Sequence, residues 1–138
     1  MKKNKKKLHK IDFTKGASFL EIGITMFMLL YLLLMVVGIF IKRYTVEQLN
    51  LRADEMSRKI IVCTSMDDAE KLAEDNIEIF DLPFVENMKI DIDYVPGGDA
   101  SWNKGNYINI YYTADVNSVT VLTKTKYNSR IVKMIENN

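Results

Sequence analysis

The chain has 138 residues and a net charge of +1, a length that supports one small domain with an anchor. The charge is uneven, because residues 1–16 hold seven Lys against one Asp while the rest holds twelve basic against seventeen acidic residues. An acidic body behind a basic head leaves no basic face for a nucleic acid, so the composition excludes a nucleic-acid binder.

An uncharged apolar run follows the basic head. The twenty residues from Ile22 to Ile41 carry no charge, and at about 1.5 Å per residue they span roughly 30 Å, the hydrocarbon thickness of a bilayer. The run is longer than the apolar core of a signal peptide, and no A-x-A cleavage pattern follows it. The sequence therefore predicts a transmembrane helix at residues 17–43 behind the basic head of residues 1–16, with the lipid bilayer as a partner.

The flanking charges predict the orientation of this helix. Cationic residues are retained on the cytoplasmic side of a membrane. Only Lys42 and Arg43 follow the run closely, whereas seven lysines precede it: Lys2, Lys3, Lys5, Lys6, Lys7, Lys10 and Lys15. We therefore expect a single-pass protein of the cell membrane with a cytoplasmic N-terminus and an exterior C-terminal domain.

Residues 44–80 read as an amphipathic exterior helix and its connection to the next region. Residues 45–76 contain no Gly or Pro, and apolar side chains recur in steps of three and four, at Val46, Leu49, Ala53, Met56, Ile60, Cys63, Met66, Ala69 and Leu72. This spacing predicts one long helix from Ala17 to Asp75, with bending near Gly38 or Arg43. We expect the apolar stripe to pack on a core rather than form a coiled coil.

Residues 81–138 have the alternation of a small antiparallel β region. Strands are predicted at Met88–Tyr94, Tyr107–Thr113 and Ser118–Tyr127, with turns at Pro96–Gly98 and Asp115–Ser118. Arg130–Ile135 is compatible with a fourth strand or a short helix. The predicted fold class is therefore α+β, with a long N-terminal helix packed on a sheet of three to four strands.

Residues that could carry catalysis are few. Cys63 is the only cysteine, so no intramolecular disulfide is possible, and its place on the apolar stripe predicts a buried, inert thiol. His9 lies in the lysine tail, and alternating Asp91 and Asp93 are typical of a solvent-facing strand rather than a metal site. Trp102 lies in a loop, as a core residue or an exposed contact. We predict no enzyme, no catalytic residue, no cofactor and no metal.

A single acid, Glu21, stands at the start of the apolar run, in the stretch Gly16-Ala17-Ser18-Phe19-Leu20-Glu21. This stretch, behind a basic leader, resembles the processing site of type IV prepilins. Alanine after the glycine is similar to the tight-adherence branch, especially the TadE-like pseudopilins. The resemblance implies cleavage between Gly16 and Ala17 by a prepilin peptidase, and partners among other pilin subunits and the inner assembly platform. Ile22 stands where the major pilins of this branch carry Tyr, and the chain is longer than theirs, which favours a minor component.

The resemblance also gives Glu21 a physical role. A charge at a bilayer centre costs about 2.5–3.5 kcal/mol, and less near the edge. Cleavage would place an α-amino group on Ala17, four residues before Glu21 on the same helix face. Opposite charges about 4 Å apart attract by roughly 4 kcal/mol at an effective dielectric near 20, and the first helical turn also favours an anion. In the alternative, Glu21 is an acid that extends to the headgroups.

The sequence thus predicts a minor pilin or pseudopilin that takes part in assembly or initiation of a tight-adherence or type IV-like filament. A pseudopilin of a related competence or secretion system is a first alternative. The second is an uncleaved single-pass signal-anchor protein whose exterior domain binds an envelope or conjugation-machine partner.

Overall fold

The computed structural model describes residues 13–117 and 124–137, with side chains from residue 18 onward. Its elements are helix α1 (Phe13–Ile60), helix α2 (Met66–Asp75), a 3-10 helix (Ile77–Phe80), and strands β1 (Val85–Tyr94), β2 (Tyr107–Asn117) and β3 (Lys124–Met134). A long helix followed by a small antiparallel sheet confirms the predicted α+β class. The chain divides into two compact units, and the boundary falls between Val36 and Val37.

Helix α1 contains the apolar run. Every described side chain from Ser18 to Leu34 is exposed, and α1 is the one helix of the described chain that is long and apolar enough to cross a membrane. The long unbranched side chains of Leu and Met lose little rotamer freedom in a helix, and they favour this conformation. In water such a surface would be unfavourable, because burial of apolar area contributes about 25 cal/mol per Å².

The predicted continuous helix to Asp75 is wrong, because the chain leaves helical structure between Ile60 and Met66. Ser65 has extended backbone angles, and its Oγ accepts a hydrogen bond from the backbone N–H of Asp68 at 3.1 Å. Asp67 and Asp68 then lie in the first turn of α2, where the helix dipole favours acids. Ser65 therefore caps a new helix that the regular apolar spacing had concealed.

The three strands form one antiparallel sheet in the order β1-β2-β3. The predicted turn at Asp115–Ser118 is wrong over its described part, because β2 continues through Asn117, which pairs with Lys124. The first half of the predicted third strand, residues 118–123, lies outside the described residues. Arg130–Met134 is neither a fourth strand nor a helix but the second half of β3.

The core lies between the second half of α1 and one face of the sheet, which we call the inner face. On α1, the predicted apolar stripe is confirmed at Leu49, Ala53, Met56 and Ile60, which are 0–1% exposed. The sheet contributes Ile92, Ile108, Ile110, Tyr112, Ala114 and Val116, all buried. The apolar stripe of the helix and the apolar face of the sheet bury each other. Because a shift of one residue would turn the apolar side chains of a strand to the other face, this burial fixes the register of every strand.

The loop after β1 begins with the predicted turn. The Gly98 N–H donates to the Val95 carbonyl at 3.1 Å, and Gly97 has a φ of +88°, which glycine adopts without steric cost. Further along, the half-buried Trp102 donates its Nε1–H to the carbonyl of Cys63 at 2.8 Å. This bond attaches the loop to the α1–α2 connection.

Candidate membrane-anchor and processing segment

Glu21 is the only charged residue between Ser18 and Ile41. Its side chain is exposed among exposed apolar neighbours, including Phe19 at 80% and Ile22 at 60%. Its backbone carbonyl accepts the Thr25 hydroxyl at 2.8 Å, whereas no hydrogen bond or ion pair reaches its carboxylate from the part of the chain that the structure describes. A lone carboxylate on an apolar, lipid-length helix therefore remains available for a partner outside these residues.

Gly16 and Ala17 belong to the same helix as Glu21, because α1 begins at Phe13. The rise of about 1.5 Å per residue places the backbone of Ala17 about 6 Å along the axis from that of Glu21. The fold thus puts the three residues of the prepilin-like stretch on one continuous helix. Lys2, Lys3, Lys5, Lys6, Lys7, His9 and Lys10 lie outside the described residues, as does the side chain of Lys15.

Lys42 and Arg43 mark the other end of the apolar run, and they lie in the unit of residues 37–138. Lys42 is half-buried, and its Nζ donates to the Thr125 hydroxyl of β3 at 2.9 Å. Arg43 is exposed one residue further on. The first cation after the run is therefore fixed to the sheet.

The other residues that the sequence singled out are not gathered into a site. Asp91 and Asp93 are both exposed on β1, as expected of solvent-facing positions. Cys63 is half-buried in the α1–α2 connection, and its burial, together with the nearby Asp68 carboxylate, raises the pKa of its thiol. Over residues 18–117 and 124–137, no three His, Cys, Asp or Glu side chains lie close enough to share a metal ion.

Sequence reasoning missed the side chains that share a sheet face with Asp91 and Asp93. The register pairs Asp91 with Tyr111 and Tyr111 with Arg130, so the three form one row across the sheet. The Arg130 guanidinium lies 5.9 Å from the centre of the Tyr111 ring, and its Nε donates to the Asn109 side-chain oxygen at 3.0 Å. The polar residues at every second position from Lys124 to Arg130 were the signal that could have revealed this arrangement.

Among the described side chains, the first half of α1 offers an apolar surface with one acid, and the sheet offers a charged face on the side away from α1. Comparisons of the chain with protein-family models, with curated proteins and with solved structures give no match.

Proposed function

We propose that this protein is a single-pass membrane protein of the prepilin type, a TadE-like minor pilin or pseudopilin. A prepilin peptidase removes its leader after Gly16, and the mature chain then takes part in assembling or initiating a filament. The protein has no catalytic activity of its own. Its N-terminus is cytoplasmic, and the chain from about residue 44 onward lies outside the membrane.

One observation carries this proposal: Glu21, five residues after Gly16, is the lone charge in the exposed apolar stretch from Ser18 to Leu34. A carboxylate in that position raises the free energy of membrane insertion. The new α-amino group on Ala17 would supply the missing counter-charge, within one subunit or from a neighbour. If the counter-charge of Glu21 forms only after processing, the precursor would stay in the membrane as a single subunit, and the mature chain would be assembled later.

The second half of α1 supports the same proposal. The helix that carries the apolar run continues without a break to Ile60, where its stripe packs on the three-stranded sheet. This layout of leader, apolar helix and small α+β domain resembles that of pseudopilins. The exterior unit would be the surface presented to other subunits.

The uncleaved signal-anchor protein is a second candidate. It is favoured by the compactness of the unit of residues 37–138. That unit has its own core of sixteen buried apolar residues, which is sufficient for a binding domain without a filament. The two candidates differ in whether the leader is removed.

The test is expression of the full chain with and without an active prepilin peptidase, followed by intact-mass measurement. We expect a mature protein that begins at Ala17 only when the peptidase is present. Gly16→Leu should leave the full-length precursor in the membrane. Gly23→Leu is the matched control, because an added Cβ at Gly23 meets no atom within 4 Å, and this variant should be processed normally. Retention of residues 1–16 in the whole population with an active peptidase would favour the anchor protein.

A further inference from the structure

The face of the sheet that points away from α1 is largely uncovered within the described residues, although Glu70 and Glu74 of α2 share a cavity with Asp91, Asp93 and Tyr111 at its β1 edge. We call it the outer face, and it comprises Tyr107, Asn109, Tyr111, Thr113 and Asp115 of β2 with their cross-strand partners on β1 and β3. Exposed apolar side chains gather at one end of it: Tyr107 at 56%, Val132 at 48% and Met134 at 41%. An antiparallel sheet can leave one face in water, but a solvated face is usually polar along its whole length.

The outer face is electrically divided from one edge to the other. Its β1 edge carries three acids and one base, Glu86, Lys89, Asp91 and Asp93, and its β3 edge carries Lys124, Lys126 and Arg130. Glu86 and Lys124 form a salt bridge at 2.8 Å, and none of the other five side chains forms one within the described residues. The β1 edge is therefore net negative and the β3 edge net positive, across a middle strand whose only charged outer-face residue is Asp115.

Asn109 is the one outer-face residue of β2 that is almost fully buried, at 1% exposure. Its side-chain oxygen accepts the bond from Arg130, but its Nδ2 is buried without a partner among the described residues. A buried donor without an acceptor costs roughly 1–3 kcal/mol. This unsatisfied group lies in the middle of the face, between Asp93 and Val132.

We propose that the outer face binds the outer face of a second copy of this chain, through a two-fold axis that runs along β2. Rotation about this axis exchanges the two edges, so β1 of one copy lies over β3 of the other. Asp91 then faces Arg130 of the partner copy, and Glu86, which already pairs with Lys124 of its own chain, faces the partner's Lys126, each twice by symmetry. Asn109 also lies on the axis, but its side chain is buried beneath its neighbours within each chain and makes no contact across the axis.

One like-charge contact opposes this arrangement, because Asp115 also lies on the axis and faces its own copy. Two contacts within each chain moderate it. The Asp115 carboxylate accepts a hydrogen bond from Asn87 Nδ2 at 2.8 Å, and Asp115 pairs across the strands with Lys126. The opposite charges of the edges thus remain the dominant electrostatic term of the interface.

The direction of the axis suits two chains anchored in one membrane. Lys42 of α1 contacts Thr125 near the start of β3, and the carbonyl of Ile61 accepts the N–H of Glu136 just beyond its end. β3 therefore runs beside α1 in the same direction over residues 42–61. Rotation about an axis along β2 leaves this direction unchanged, so both copies enter the pair from the same end.

The size of the face predicts a weak pair. Three strands about 4.8 Å apart and ten residues of about 3.3 Å give roughly 470 Å² per copy. The total of about 900 Å² is below the range of about 1,200–2,000 Å² for stable interfaces. Tethering in a bilayer raises the effective concentration and compensates for this small area. The pair should therefore form in membranes and be weak in dilute detergent.

The test uses the full, uncleaved chain with Cys63→Ser, reconstituted in lipid vesicles and labelled through Leu51→Cys on the exposed side of α1. Energy transfer between donor- and acceptor-labelled copies reports association. Asp91→Arg and Arg130→Asp should each weaken association about tenfold, because each turns two attractions into repulsions. An equimolar mixture of the two variants should recover wild-type transfer, since the exchanged charges face each other in one contact and the native pair remains in the other.

Asp99→Arg is the matched control, because it makes the same charge change at an exposed position of the loop between β1 and β2, outside the three strands, and it should associate like wild type. A second measurement does not depend on charge changes. Thr113→Cys lies on the axis, where stacked sheets are about 10 Å apart, too far for a disulfide but within reach of a short bismaleimide. In the Cys63→Ser background this variant should cross-link to itself, and Leu51→Cys should not.

The proposal would be overturned if both charge variants showed the energy transfer of the wild type. It would also be overturned if mixing the two variants did not restore energy transfer and Thr113→Cys did not cross-link. Efficient cross-linking at Leu51 alone would also overturn it, since that result assigns association to α1. Neither measurement requires leader removal, so failure here is distinct from failure of the proposed processing.

Discussion

Replacing Ser57 by Ala is expected to destabilise the C-terminal unit more than replacing Tyr112 by Phe, although both changes remove the same hydrogen bond. Ser57 Oγ lies 2.7 Å from the Ala53 carbonyl and 2.8 Å from the Tyr112 hydroxyl. A serine has one O–H, and a carbonyl can only accept, so Ser57 donates to Ala53 and Tyr112 donates to Ser57. Both side chains are fully buried.

The direction of this bond sets the size of each effect. Tyr112→Phe removes the donor but leaves the Ser57 hydroxyl bonded to Ala53, so the cost should be about 1 kcal/mol. Ser57→Ala leaves the buried Tyr112 hydroxyl without an acceptor, and the cost should be about 2 kcal/mol. The double variant buries no unsatisfied group, so it should lie close to Tyr112→Phe alone. The double-mutant cycle then gives a coupling energy of about 1–2 kcal/mol.

Urea unfolding of the full chain in detergent micelles would measure these values. Trp102 is the only tryptophan, and its bond to the Cys63 carbonyl breaks on unfolding, so its fluorescence reports the transition. Equal costs for the two single variants, or a larger cost for Tyr112→Phe, would refute the assigned donor and acceptor. A double variant as unstable as the sum of the singles would show that the hydroxyls do not interact.

Alkaline pH tests the same buried hydroxyl. Burial raises the pKa of Tyr112 to about 12, against an ordinary value near 10 in the unfolded chain. Between these values the unfolded chain has lost the proton and the folded chain keeps it, so stability is complete below about pH 10 and falls as pH rises. The loss should approach about 3 kcal/mol near pH 12. Tyr112→Phe should reduce the loss of stability with rising pH. Part of the loss should persist, because burial also raises the pKa of Tyr127.

Three further outcomes are expected. Glu21→Gln should leave membrane level and processing near normal but sharply reduce incorporation into surface filaments, as counted by electron microscopy, because the Ala17 amine loses its counter-charge. In a Cys63→Ala background, an impermeant thiol reagent should label a cysteine at Asn103 but not at His9 in intact cells; the reverse would invert the topology. Phe84 has a φ of +71° and is 42% exposed, so Phe84→Gly should raise the urea midpoint by relieving about 1 kcal/mol of backbone strain.

The fold was predictable where one physical signal acted alone. The stripe from Leu49 to Ile60 and the alternation from Ile90 to Tyr94 each had one period, and the structure contains both elements. Prediction failed where two signals overlapped. Cys63 and Met66 continue the helical spacing through the break between α1 and α2. The opposing signal is local, because it consists only of the Ser65 cap and of Asp68 three residues later.

The strand boundaries failed for a related reason. Asp115 and Asn117 are ordinary turn residues in isolation, but in β2 they are polar members of an alternating strand, paired with Lys126 and Lys124. Only the partner strand distinguishes these two roles. The charged outer face was missed in the same way, because the row that joins Asp91 to Arg130 exists only after three distant segments pair.

The unit of residues 37–138 includes the last residues of the apolar run. The boundary between units precedes Val37, Gly38 is buried, and Thr45 is buried with its hydroxyl bonded to the Ile41 carbonyl at 3.0 Å. Lys42 is then held by Thr125. Within this unit, Lys42 therefore lies at the Thr125 end of β3, and the apolar patch at Tyr107 and Met134 lies at the opposite end of the strands. In the proposed pair, the contacts between Asp91 and Arg130 are made by exposed side chains, so association should weaken as ionic strength rises.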